Sequence, residues 1–105
     1  MISDEVLQQV KDRLVNGFHP QKIILFGSQA RGTADARSDV DILVVCSFEG
    51  KRRQLMLEMD RSLAGLEYAV DVLIATPEEF EQDRLIPGTV SRYADKEGKV
   101  LHGSA

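Results

Sequence analysis

The chain has 105 residues, 43% of them hydrophobic and 29% charged, and a formal net charge of −4, so one globular domain over residues 1–105 is expected. No run approaches the roughly 18 consecutive apolar residues of a membrane span. The acidic opening Met1-Ile2-Ser3-Asp4-Glu5 is unlike a signal peptide, and the lone Cys46 excludes an internal disulfide and suits a reducing cytoplasm. The acidic balance also argues against extensive nucleic-acid binding through a broad basic surface.

Apolar residues at Ile2, Val6, Leu7, Val10 and Leu14 form a helical stripe, with Ser3 as N-cap and Asp4 and Glu5 complementing the dipole. Asn16-Gly17 and Pro20 are expected to stop this helix. Lys22–Phe26 reads as a buried strand ending at Gly27-Ser28, and Asp39–Cys46 as a second strand; the connection between them has room for a single helical turn. Leu55, Met56, Met59, Leu63 and Leu66 mark a second helix after Gly50, closing near Gly65, and their stripe reads as core. Tyr68–Ala75 is a third strand. Thr76-Pro77-Glu78-Glu79 carries a helix-start signature, and a last amphipathic stretch with Val90, Tyr93 and Ala94 ends at Gly98, with Val100-Leu101 beyond it. The order helix, strand, strand, helix, strand, helix predicts an α+β (layered α/β) fold with a sheet flanked by helices.

Three carboxylates stand out. Asp39 and Asp41 are two apart at the head of an apolar strand, which directs them to one face. Asp71 interrupts the otherwise apolar run Ala69–Ala75. Taken singly, the pair reads as a solvated strand entrance, and Asp71 as a carboxylate paired with an arginine or facing solvent at an edge. If the strands are neighbours, the three converge. Two carboxylates ~4 Å apart repel by about 4 kcal/mol at an effective dielectric near 20, and a divalent cation reverses that sign. Oxygen-only ligands favour Mg²⁺ or Mn²⁺ over Zn²⁺, and His19 and His102 read as surface residues. Upstream, Gly27-Ser28-Gln29-Ala30-Arg31-Gly32-Thr33 follows a strand and lets backbone approach a ligand closely. It is not a P-loop, because Thr33 and Ala34 stand where that motif needs Lys and Ser/Thr. A glycine turn beside metal-binding carboxylates describes metal-assisted phosphoryl or nucleotidyl transfer.

The set Gly27-Ser28-x-Ala30-Arg31-Gly32, Ser38-Asp39-x-Asp41-Ile42-Leu43-Val44 and Val70-Asp71-Val72, with the closing Tyr93-Ala94-x-x-x-Gly98-x-Val100-Leu101, resembles the minimal nucleotidyltransferase family of the DNA polymerase beta-like superfamily. That resemblance implies a mixed sheet, two Mg²⁺ ions (or Mn²⁺) and ATP as nucleotide donor. It implies that Asp39 and Asp41 each hold metal, and that Asp71 binds the metal nearer the acceptor and lowers the pKa of the attacking hydroxyl. Gly27 and Ser28 would bind the β- and γ-phosphates, while Arg31 neutralises charge or orients the loop.

So small a chain is not expected to hold a second domain that presents an acceptor, and the acceptor is expected on another polypeptide. Members of the resembled family typically pair with a HEPN-domain toxin as its antitoxin and transfer AMP to a toxin tyrosine. Two other readings stand beside this one: an antitoxin acting mainly by complex formation, and a small-molecule nucleotidyltransferase completed as a homo-oligomer. The basic cluster Lys51-Arg52-Arg53 reads as a solvated face, with phosphate or an acidic partner as the other reading, and Cys46 as a small buried residue.

Overall fold

A computed structural model describes residues 2–32 and 39–103. Thr33, Ala34 and Ser38, used in the sequence reading, lie outside the described residues, as do Ser104 and Ala105. The first helix, α1 (Asp4–Phe18), starts where its signals predict: the Ser3 side chain accepts the Val6 N–H at 3.3 Å, and Leu7, Val10 and Leu14 are buried. It runs past Gly17 because Phe18 packs on the core, and it closes at His19 in the left-handed conformation, φ 50°.

The chain continues through β1 (Lys22–Phe26), the single turn α2 (Ser28–Arg31), β2 (Val40–Val45), α3 (Arg52–Ser62) and β3 (Val70–Ala75). It ends with α4 (Pro77–Asp83), α5 (Val90–Glu97) and β4 (Lys99–His102). The sheet has the order β3-β2-β1-β4; β1 runs antiparallel to β2 and β4, whereas β2 and β3 are parallel and joined through α3. The mixed α+β sheet expected from the sequence is therefore present.

Alternation along the strands divides the core. Ile23, Leu25, Ile42, Val44, Val72 and Ile74 face α1 and α3, where Val10, Leu14 and Met59 are fully buried. Ile24, Leu43, Val45 and Ala75 face α4 and α5, meeting Phe80 and Ala94. Both faces are covered, so the central strands read as unbroken apolar runs.

Two features differ from the expected element order. The region after β3 forms two helices rather than one, with Pro87-Gly88 in the connection between them. Thr76 and Glu79 close a capping box at the start of α4, and the Thr89 side chain caps α5. Val100 and Leu101 belong to a fourth strand on the outer edge of β1. Two apolar residues carry too little periodicity to announce a strand; the free edge of β1 supplies the template.

Gly98 makes the turn from α5 into β4 possible. A Cβ there would lie 2.4 Å from Ile24 Cγ2 and 2.3 Å from the Ala94 carbonyl oxygen, and backbone cannot yield cheaply. Gly98→Ala is expected to cost about 2–3 kcal/mol and lower Tm by roughly 10–20 °C in thermal unfolding; an unchanged Tm would show that α5 is free to move off β1.

Candidate active site

The parallel pairing of β2 and β3 sets Asp41 and Asp71 opposite each other in register. Neighbouring strands lie about 4.8 Å apart, so the two side chains leave the same face at the same level. Asp39 is exposed immediately ahead of β2. The Asp41 carboxyl is raised above its ordinary value, first by burial, then by the charges of Asp71 and Asp39. The charges of Asp71 and Asp39 thus both reach Asp41.

Of the readings open for Asp71 in the sequence, the structure gives the sheet edge: Asp71 and Leu73 are exposed on edge strand β3, and the cost of desolvation falls on Asp41. Between α3 and the β3 edge runs a cleft of about 590 Å³ whose lining includes Asp41, Asp71, Met56, Tyr68 and Leu73.

The glycine turn closes the other side. Phe26, the last residue of β1, is the antiparallel partner of Asp41, which puts Gly27 against that carboxylate. Gly27 adopts φ 76°, ψ −157°, a region essentially reserved for glycine. A Cβ at Gly27 would stand 2.5 Å from Asp41 Oδ2, so the backbone there can approach only as glycine. Its carbonyl accepts the N–H groups of Ala30 and Arg31, both at 3.1 Å, winding Ser28–Arg31 into the single turn allowed for in the sequence.

Two supports were not legible in the sequence. Gln29 is buried, and its Oε1 accepts the Ile2 N–H at 2.8 Å, tying the turn to the segment ahead of α1. Arg31, exposed at the end of α2, donates through Nη1 to the Tyr93 hydroxyl. Neither contact has a local sequence signal, since 27 and 62 residues separate the partners.

The other singled-out residues have structural roles. Arg52 is bound by both carboxylate oxygens of Glu79, at 2.6 and 2.8 Å, and lies 5.6 Å from the Phe48 ring, so the basic cluster contributes a structural pair. The hydrogen bond from Arg52 holds the Glu79 carboxyl below its ordinary range. Burial pushes the Cys46 thiol up, away from reactivity. His19 caps α1 and His102 sits in β4 toward the far end of β1 from Gly27. Met59 and Leu63 are buried core, with Leu55 and Met56 packed against it.

Among the described residues, no three of His, Cys, Asp and Glu are already gathered into a metal-ready cluster. The donor set beside Gly27 nevertheless suits a hard cation: it is all carboxylate oxygen, and one member is held in charge conflict with the other two. No helix among the described residues is long and apolar enough to cross a membrane.

An open-edged sheet that brings acids from adjacent strands beside a glycine turn defines a class of phosphate-handling proteins, and the comparisons agree. The nucleotidyltransferase domain family matches residues 3–101, and the chain belongs to that family. "Putative protein adenylyltransferase MJ1305" of Methanocaldococcus jannaschii is 52% identical over 52 residues, 50% of this chain and 34% of the relative. The match thus spans about a third of that curated relative. A toxin–antitoxin crystal structure with AMP-PNP superposes with a TM-score of 0.64 at 25% identity, covering 93% of this chain and 73% of that one. The toxin–antitoxin MntA-HepT gives 0.60 at 21% identity, covering 97% and 74%, which speaks for the fold. The family shown is the one the resemblance implied.

Two outcomes follow from the charge conflict and the close approach. Because the Asp41 carboxyl is raised in the fold, its ionised form opposes folding; the penalty is present at neutral pH and lifts as pH falls through the folded value toward the ordinary 3.8. Metal-free Asp41→Asn should therefore melt above the unaltered chain at pH 7 and converge with it near pH 3.5; a lower Tm at pH 7 would refute the penalty that burial and the neighbouring charges place on the ionised carboxyl. Gly27→Ala is expected to cost about 1–3 kcal/mol, from backbone strain and contact with Asp41, read as a lower midpoint in urea unfolding.

Proposed function

We propose that the chain is a Mg²⁺-dependent nucleotidyltransferase that moves AMP from ATP to a hydroxyl of a partner protein. We further propose that it acts in the cytoplasm as the antitoxin of a HEPN-domain toxin, on a toxin tyrosine. The observation that carries the reading is the registered pair Asp41 and Asp71 beside the Gly27 turn. The name of the archaeal relative, the AMP-PNP complex and the MntA-HepT pair support the donor and the partner.

In this reading Asp39 and Asp41 hold the cations, with Mn²⁺ able to replace Mg²⁺, and Asp71 holds the one nearer the acceptor. Divalent cations, when bound, supply positive charge to the attacking oxygen and to the leaving pyrophosphate. Gly27 and Ser28 bind the β- and γ-phosphates through backbone N–H groups and the Ser28 hydroxyl. Asp71, at the open sheet edge, meets the acceptor hydroxyl and favours loss of its proton. The bond from the acceptor oxygen to the α-phosphorus forms as the bond to the pyrophosphate oxygen breaks. Positioning and charge placement do the chemistry.

The test incubates the chain with α-labelled ATP, Mg²⁺ and the HEPN protein of the adjacent locus. Label should appear on the partner, vanish with EDTA, and fall by more than about a hundredfold in Asp71→Asn, beyond what loss of an outer-shell support costs. In cells, a folded Asp39→Asn/Asp41→Asn variant should lose protection against the toxin. Full protection by that variant would show that complex formation suffices and overturn the catalytic reading.

A further inference from the structure

The aromatic residues on the acid-bearing face have no part in the reading above. Phe26 stands beside Asp41 as its cross-strand partner. Tyr93, from α5, meets Phe26 edge-on with ring centres 6.0 Å apart and planes at 77°. Its hydroxyl accepts a hydrogen bond from Arg31 Nη1. Arg31 itself is four residues past Gly27 and exposed, and the ion pairs among the described residues do not include it.

The choice of a phenol as anchor matters. A carboxylate would neutralise the guanidinium; a phenol hydroxyl fixes its direction and leaves the full charge and its remaining N–H donors available. A long side chain held this way loses less rotamer freedom on gripping an anion. The order across the sheet gives the anion's place. Asp71 lies on edge strand β3, Asp41 on β2, and the Gly27-Ser28 turn with Arg31 follows β1. For an in-line displacement entered from the β3 edge, the leaving phosphates lie toward Arg31.

We infer that Tyr93 is a positioning residue that holds Arg31 against the terminal phosphates of a nucleoside triphosphate and so sets the preference for triphosphate over monophosphate. This rests on the nucleotidyltransferase reading. Tyr93 acts through Arg31 and touches no reacting atom.

Calorimetric titration of ATP and of AMP, each with Mg²⁺, into the full chain tests it. Tyr93→Phe keeps the ring against Phe26 and removes only the hydroxyl, and Arg31→Ala alters an exposed side chain. ATP affinity should fall about three- to tenfold in Tyr93→Phe and at least as far in Arg31→Ala, while AMP affinity stays within about twofold. Adding Tyr93→Phe to Arg31→Ala should cost nothing more, because the two act as one unit. Equal loss of ATP and AMP, additive losses, or unchanged ATP binding in Tyr93→Phe would each overturn the inference while the nucleotidyltransferase reading stands. An unaltered chain that binds no nucleoside triphosphate would overturn both.

Discussion

Two carboxylates held opposite each other on adjacent parallel strands are the constraint around which this molecule is arranged. The register of β2 and β3 is locked by apolar pairs on either side of Asp41 and Asp71, among them Val40 with Val70 and Ile42 with Val72. A shift of one residue would turn those side chains out of the core. The hydrophobic effect thus holds the acids in place, and the cost appears as the raised Asp41 carboxyl, through burial first and the charges of Asp71 and Asp39 second. A cation is the natural relief of that conflict. A site built to bind charge is in this sense less stable empty than a neutral one.

β1 organises the rest. It pairs with β2 on one side and β4 on the other, and it delivers Phe26 and Gly27 to the same end of the sheet as Asp41. Three glycines mark tight approaches, and besides Gly103 against Gln21 two of them bear on this end of the sheet. Gly27 lets backbone lie against the Asp41 carboxylate, and Gly98 lets α5 turn into β4 against Ile24. The second approach bears on the first, because α5 carries Tyr93, which reaches across to Phe26 and Arg31. A contact set by packing at the far edge of the sheet therefore places a charge beside the glycine turn.

The edge position of β3 is as consequential as the acid pair. An edge strand leaves Asp71 open to solvent and to the 590 Å³ cleft, while Asp41 remains half-buried between strands. The arrangement separates a fixed, desolvated acid from an accessible one, which suits the handling of a bound charge on one side and an incoming group on the other.

Much was determined by the sequence alone: the helix starts at Ser3 and Thr76, the three main strands, the core stripe Leu55-Met59-Leu63, and the candidate residues Gly27, Ser28, Asp39, Asp41 and Asp71. These are local signals, set by side-chain period, capping chemistry and backbone freedom, and they survive folding because each is satisfied within a few residues. The tertiary structure decided what depends on neighbours distant in the chain. It set the parallel register that joins Asp41 to Asp71, the edge position that exposes Asp71, and β4, whose Val100 and Leu101 need β1 as template. It also drew Arg31 to Tyr93, Gln29 to Ile2, and Arg52 from a solvated basic cluster to Glu79. Such contacts leave no local periodicity, because loop closure brings the partners together only when the whole core assembles.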